Sequence, residues 1–153
     1  MKILVSACLL GENCKYSGGN NYNQAVCDFA RGHQVVLVCP EVLGGLPTPR
    51  CPAEIMQGVV TNKEGINVDR EFRAGAAKAL AIAKENGVEL AILQSRSPSC
   101  GVKEIYDGTF SGTKIPGQGV FAKMLMDEGI RVLDAGELPK IILKNEDGKC
   151  QSD

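Results

Sequence analysis

Three cysteines from distant parts of the chain have the clearest capacity for chemistry: Cys8, Cys39 and Cys100. Each lies at or soon after the end of an apolar run that predicts a buried strand. These runs span residues 2–7, 34–39 and 89–94. Parallel α/β sheets bind ligands at the carboxyl ends of their strands. We therefore expect the three thiol groups to meet at one edge of a sheet.

Converging thiolates are compatible with a zinc site, an iron–sulfur cluster or a cysteine nucleophile. Structural zinc sites usually combine four ligands with short C-x2-C spacings, and this chain has no C-x2-C motif. Iron–sulfur clusters also accept ligands on widely spaced strand ends, and three protein ligands would leave one iron open. A cysteine nucleophile requires a histidine. The single histidine, His33, precedes the second predicted strand, so a thiol hydrolase is the weakest interpretation.

The loop after the second apolar run is stiffened by prolines and glycines, and it carries Glu41 and Arg50. A carboxylate beside a site of this kind can act as a general base on water. Alternatively, Glu41 can form an ion pair with Arg50 or Arg96, and the sequence favours neither role. Ser97 and Ser99, in the loop after the third run, can hydrogen-bond the loop backbone or orient a small polar substrate.

The alternation of apolar strands and helices predicts an α/β fold. We expect a single domain with a mostly parallel, Rossmann-like sheet of about four main strands, helices on both faces and small hairpins. The fourth strand is predicted at residues 130–133, and helices at residues 23–31, 69–86 and 118–128. Hairpins are predicted at residues 58–68, with a turn at 62–65, and at residues 105–114. The domain should occupy residues 1–153, with a core over about 2–134 and a polar tail over 140–153 that carries Cys150.

The composition argues against several classes of function. Hydrophobic residues make up 44% of the chain and charged residues 23%, as in an ordinary folded domain. A net charge of −1 without a basic run indicates no extended nucleic-acid-binding surface, and no apolar stretch is long enough to span a bilayer. Seven cysteines, an odd number, argue against a complete disulfide framework and favour reduced thiols in a cytoplasmic protein.

Three long motifs, in order along the chain, resemble those of the thiouracil desulfidase family. They are VSACLLG (5–11) with CKY (14–16), CPEVLGGLPTPR (39–50), and SPSCG (97–101) with IYDGTFSG (105–112). The resemblance extends from Lys2 to about Leu133, nearly the whole expected domain. It implies an enzyme with a [4Fe–4S] cluster that removes sulfur from thiouracil without net redox change, giving uracil and hydrogen sulfide. The implied substrate is a small thiolated pyrimidine.

The resemblance also implies that three cysteines hold the cluster, and these map onto Cys8, Cys39 and Cys100. Cys14 belongs to the first motif as well, and Cys8 is preferred as the first ligand because it stands at a predicted strand end. The sequence departs from the family pattern at Cys51, where the family more usually has proline. A further thiol therefore lies near the expected site.

The catalytic pair implied by the resemblance is Glu41 and Ser97. In the resulting hypothesis, the thiocarbonyl sulfur binds at the open iron of the cluster and Glu41 takes a proton from the attacking water. Ser97 positions the base or the substrate. A competing hypothesis from another class is a structural or sensory zinc or iron–sulfur protein without turnover.

Overall fold

The structure is a computed structural model in which residues 1–138 are described, so the predicted tail at 140–153, with Cys150, lies outside the described residues. The strands are β1 (Lys2–Ser6), β2 (Gln34–Val38), β3 (Ala53–Met56), β4 (Val59–Asn62), β5 (Leu90–Leu93), β6 (Glu104–Tyr106), β7 (Lys114–Pro116) and β8 (Arg131–Asp134). The α-helices are α1 (Gln24–Ala30), α2 (Pro40–Leu43), α3 (Asp69–Glu85) and α4 (Val120–Asp127). Short 3₁₀-helices span Ala7–Leu10 and Ala135–Glu137.

The main sheet contains four parallel strands in the order β2-β1-β5-β8. Its two central strands, β1 and β5, are deeply buried, and Ile3, Leu4 and Ile92 are each 0% exposed. Continuous apolar runs rich in branched residues form parallel strands of this kind because both faces of the sheet are covered. The α/β fold and the parallel four-stranded sheet predicted from the sequence are therefore confirmed.

Helices cover both faces of this sheet. Because successive side chains of a strand point in opposite directions, neighbouring residues of β1 pack against different helices. On one face, Ile3 packs in a cluster with Val26 of α1. On the other face, Leu4 packs in a cluster with Phe72 of α3 and Phe121 of α4. Helices α1, α3 and α4 fall within the three helical segments predicted from the sequence.

The sequence predicts a loop from Cys39 onward, whereas the structure begins the short helix α2 there. Pro40 occupies the first helical position, where its fixed φ suits a helix start. Two glycines let α2 approach α3 closely. A Cβ atom on Gly75 would collide with the carbonyl oxygen of Pro40, and one on Gly44 with the carbonyl oxygen of Glu71. Close contact between the two backbones therefore fixes α2, and with it the start of the loop that follows α2, against the long helix α3.

The hairpin predicted at residues 58–68 is present in a short form. Its turn lies at 62–65 as predicted, and after the turn Asn67 forms an isolated antiparallel bridge with Thr61. The sequence did not predict that β4 also pairs antiparallel with β3, around a turn at residues 57–58. The sequence pattern does not indicate strand β3, because this strand directly follows a proline-rich loop.

The second hairpin, predicted at residues 105–114, is confirmed as the antiparallel pair β6 and β7. The loop that joins these strands, residues 107–113, contributes to a cavity at the carboxyl edge of the main sheet. Across residues 1–138, we find no helix with the length and apolarity needed to cross a membrane.

Candidate active site

A cavity of about 490 Å³ opens at the carboxyl edge of the main sheet. Cys8, Cys39 and Cys100 all line it, so the structure brings together the three cysteines from separate strand ends. Cys14 and Cys51 line the same cavity, and all five are free thiols. Within residues 1–138, no three His, Cys, Asp or Glu side chains are grouped around a position for a single metal ion.

Ser6, the last residue of β1, links the end of that strand to the segment after β5, which carries Cys100. Its Oγ donates a hydrogen bond to the Sγ of Cys100 at 3.3 Å and accepts one from the N–H of Gln94 at 3.0 Å. Burial raises the pKa of the Cys100 thiol, and the Ser6 hydrogen bond opposes that shift. The loop after β5 is therefore tied to the end of β1 beside the buried sulfur.

The Sγ of Cys39 donates a hydrogen bond to the carbonyl oxygen of Cys14 at 3.8 Å, and the Cys14 thiol is placed to donate to the thiols of Cys8 and Cys39. The Cys14 thiol lowers the pKa of Cys39 to about 6 although burial opposes the shift, and the N–H of Val42 in α2 adds a further bond. The same donor lowers the pKa of Cys8 to about 7 against burial, with help from the Asn21 amide at 3.4 Å. The pKa of Cys14 is raised for the same reason. Cys8 and Cys39 are therefore the members of this group of three thiols whose pKa is lowered.

Glu41 lies in the first turn of α2 and is held at both carboxylate oxygens. Its Oε1 accepts hydrogen bonds from the Nε of Arg50 at 3.0 Å and from the Nη2 of Arg50 at 2.8 Å. Its Oε2 accepts one from the Oγ of Ser99 at 3.2 Å. The ion pair is largely buried, because the side chains of Arg50 and Glu41 are 7% and 15% exposed. Of the two arginines considered from the sequence, Arg50 is the one that pairs with Glu41.

Arg50 uses every N–H of its guanidinium to join the loops around the cavity. Besides the two bonds to Glu41, its Nη2 donates to the carbonyl oxygen of Cys14 at 2.9 Å. Its Nη1 donates to the carbonyl oxygen of Pro47 and to the Oγ1 of Thr48, both at 3.1 Å. The Arg50 side chain therefore connects the loop that carries Cys14, the loop that follows α2 and the carboxylate of Glu41.

The two serines of the third loop have different roles. The Oγ of Ser97 accepts hydrogen bonds from the backbone N–H groups of Ser99 and Cys100, each at 3.0 Å. Ser97 lines the cavity, whereas Ser99 is 1% exposed and reaches Glu41. Ser97 therefore shapes the turn that presents Cys100, and Ser99 is the serine in contact with the carboxylate.

The cavity wall also contains side chains for which the sequence indicated no role. Tyr106 at the end of β6, Phe110 in the following loop and Lys63 all line it. Arg96, the other arginine expected as a possible partner of Glu41, lines the same wall. The motif at residues 105–112 was the available signal, because its Asp-Gly and Ser-Gly pairs indicate turns. Turn residues do not indicate which surface the turn will face.

The sequence profile of the 2-thiouracil desulfurase family matches residues 3–137 of the chain. The chain belongs to the 2-thiouracil desulfurase family. The membership confirms the resemblance carried by the three motifs, and with it the prediction that the protein is a thiouracil desulfidase enzyme.

Two proteins similar to this desulfurase-family chain cover nearly all of it. An uncharacterized protein of Bacillus subtilis strain 168, YbbK, is 42% identical over 150 aligned positions, and the alignment covers 92% of this chain and 99% of that protein. A solved structure described as the [4Fe–4S]-dependent thiouracil desulfidase TudS has a TM-score of 0.83 and 40% identity. That comparison covers 95% of this chain and 97% of the TudS chain. Nearly all of the chain is therefore similar in fold to that solved structure.

Proposed function

We propose that the protein is an iron–sulfur-dependent, non-redox desulfidase that converts thiouracil-type bases to uracil and hydrogen sulfide. The observation that carries the proposal is the cavity itself. In a chain of this family, cysteines from three separate strand ends line one cavity that also holds a buried carboxylate. A thiolated pyrimidine as the partner, and a cytoplasmic location, stay predictions.

The donor set fits a [4Fe–4S] cluster. Thiolates are the soft ligands that such clusters use, and a cluster takes its ligands at separate corners rather than around one point. Cys8, Cys39 and Cys100 would hold it, with Cys14 as the alternative first ligand from the same loop. When bound through three cysteines, the cluster supplies an open iron that can act as a Lewis acid toward a thiocarbonyl sulfur.

Glu41 would move the proton that the reaction requires. Its Oε1 is occupied by two N–H groups of Arg50, whereas its Oε2 has one longer contact, from Ser99. We therefore assign proton uptake to Oε2. There the carboxylate takes a proton from the water that attacks the thiocarbonyl carbon. The carbon–sulfur bond then breaks, and the protons removed from water leave with the sulfur as hydrogen sulfide. The sum is thiocarbonyl plus water giving carbonyl plus hydrogen sulfide, and no electron donor is needed.

Ser97 would position the groups around Glu41. Because its Oγ accepts the N–H groups of Ser99 and Cys100, it fixes both the hydroxyl that touches Glu41 and the cysteine beside it. Its own O–H is still able to donate a hydrogen bond into the cavity that it lines. In this account Ser97 orients the base, and its hydroxyl can also orient the substrate.

The proposal is tested with Glu41→Gln in anaerobically reconstituted protein. The variant should keep the wild-type iron and sulfide content and lose at least about a hundredfold in the rate of sulfide release from 2-thiouracil. Glu85→Gln, an exposed position in the last turn of α3, is the matched control and should retain wild-type activity. Full activity in Glu41→Gln would exclude Glu41 as the base.

The buried pairing of Glu41 with Arg50 favours one competing function, a metal- or cluster-binding protein without turnover. In that case the pair would stabilise the loop alone. Reconstituted wild-type protein that holds iron but releases no sulfide from 2-thiouracil or 4-thiouracil would support this alternative and contradict the desulfidase proposal.

A further inference from the structure

Phe110 lies in the cavity wall with a backbone conformation that is unusual for an aromatic residue. Its φ of 58° places it in the left-handed region, which bulky side chains seldom occupy. The residue sits in the loop of residues 107–113, which joins β6 to β7. Strained backbone persists only where the surrounding structure enforces it, and it is concentrated at ligand-binding positions.

Two independent contacts from β3 hold this loop. The Oε1 of Glu54 accepts hydrogen bonds from the N–H of Gly108 at 3.0 Å and from the N–H of Phe110 at 3.1 Å. Gly108 also lies so close to β3 that a Cβ atom on it would come within 2.5 Å of the Met56 Cβ and 2.9 Å of the Ile55 carbonyl oxygen. The loop therefore rests directly on the strand, and its single aromatic side chain is placed by that contact.

The two tyrosines that line the cavity are less suited to the face of a flat ring. Tyr16 is 46% exposed, and the Nζ of Lys15 already lies over its ring at 5.8 Å from the centroid. Tyr106 carries a hydroxyl that requires a polar partner when it is covered. Phe110 presents an apolar ring with no such requirement. Ligand pockets commonly supply apolar and aromatic walls of this kind beside a few polar groups.

We infer that Phe110 packs against the ring face of the thiolated base and that Glu54 is its positioning residue. The inference rests on the proposed function, because it places the substrate in this cavity. Stacking on an aromatic side chain contacts the π-face that every base has, so it is insensitive to the substituent on the ring edge. Phe110 therefore contributes to affinity for the pyrimidine ring and does not distinguish the position of the sulfur.

The first test compares Phe110→Leu with Phe110→Trp, which keeps an aromatic face, in reconstituted holoenzyme. Phe110→Leu should raise the KM by about tenfold and leave kcat nearly unchanged, with the same factor for 2-thiouracil and 4-thiouracil. Phe110→Trp should retain a KM near that of the wild type. Phe29→Leu is the matched control, because the Phe29 ring stacks on His33 and does not line the cavity. An unchanged KM in Phe110→Leu would overturn the inference.

The second test separates the positioning role of Glu54 from a general effect on the fold. Glu54→Gln keeps a side-chain oxygen that can accept both N–H groups, so its KM should stay near the wild-type value. Glu54→Ala should raise the KM in the same sense as Phe110→Leu. If Glu54 acts through Phe110, adding Glu54→Ala to Phe110→Leu should produce little further change. A full multiplicative increase in the double variant would contradict the positioning role.

A binding measurement does not depend on turnover. The chain contains no tryptophan, so Phe110→Trp places the sole tryptophan, which can be excited selectively over the three tyrosines, in the cavity wall. Uracil added to this holoenzyme variant should change the tryptophan emission in a saturable manner, while Phe29→Trp should not respond. If the wild type releases sulfide but Phe110→Leu has the wild-type KM and the emission of Phe110→Trp does not respond, the inference fails and the proposed function stands. If the wild type releases none, the proposed function fails, and the emission of Phe110→Trp alone decides the inference.

Discussion

At the scale of single residues, Glu41 shows how two roles that the sequence left open can coexist. The pairing with Arg50 occupies Oε1, and the work proposed for the base is at Oε2, where the contact with Ser99 is 3.2 Å long. The strongly bound oxygen fixes the orientation of the carboxylate. The more weakly bound oxygen is the one that water can reach at a small energetic cost.

Arg50 provides a prediction at the same scale. Arg50→Met should lower the free energy of unfolding by about 3 kcal/mol, because it leaves the charge of Glu41 largely buried without its partner. It should also lower kcat for sulfide release at least about tenfold, because the carboxylate loses its fixed orientation. Arg50→Lys keeps the charge but not the planar fork of donors, so it should lie between the wild type and Arg50→Met.

Arg73→Met is the control for this experiment. The ion pair that Arg73 forms with Asp69 is solvent-exposed, with the arginine side chain 49% exposed. Its loss should cost less than about 1 kcal/mol and leave kcat unchanged. Urea unfolding and initial rates of sulfide release measure both quantities. Wild-type stability and turnover in Arg50→Met would show that the buried network has no role.

The serine loop shows what a sequence pattern cannot resolve at this scale. Ser97 and Ser99 stand two residues apart, and both residue types can cap a turn or contact a carboxylate. Which serine takes which role depends on the conformation of the turn. Once the Oγ of Ser97 accepts the N–H groups of Ser99 and Cys100, the Ser99 side chain is the one directed to Glu41.

At the scale of elements, the strands of the main sheet and the longer helices were predictable, whereas two elements around the site were not. The four strands of the main sheet are marked by apolar runs, and α3 by its alanine-rich face. By contrast, α2 and β3 flank a segment rich in prolines and glycines, and neither shows a recognisable apolar period. Tertiary contacts decide their structure, and these two elements carry Glu41 and Glu54.

The contact between α2 and α3 supplies a prediction for these elements. In an ordinary helix, Gly75→Ala would stabilise the protein by about 1 kcal/mol through helix propensity. Here the added Cβ would collide with the backbone oxygen of Pro40, which cannot move without moving α2. We therefore expect Gly75→Ala to destabilise the protein and to lower kcat, because α2 carries Glu41.

The control for this element is Ala77→Gly, at an exposed position of the same helix. It should cost about 1 kcal/mol of stability through propensity alone and leave kcat unchanged. Thermal unfolding and sulfide release distinguish the two variants. A stabilised, fully active Gly75→Ala protein would mean that the approach of α2 to α3 does not position the site.

At the scale of the whole molecule, the parallel sheet explains how residues far apart in the chain meet. Strands β2, β1 and β5 are neighbours and point in the same direction, so the segments after them emerge at one edge. This convergence could be inferred from the positions of Cys8, Cys39 and Cys100 in the sequence. The positions of Tyr106 and Phe110 in the cavity wall could not be inferred in this way. They come from the β6–β7 hairpin, which lies outside the main sheet and whose packing on β3 has no sequence signature.

The most direct test of the account measures both products of wild-type protein that has been reconstituted anaerobically and freed of reductant. With 2-thiouracil as substrate, a non-redox desulfidase must form uracil and hydrogen sulfide in equal amounts and without any electron donor. Protein stripped of iron should form neither product. Sulfide release that requires an electron donor, or that persists without iron, would contradict the central claim, as would reconstituted protein that forms no uracil.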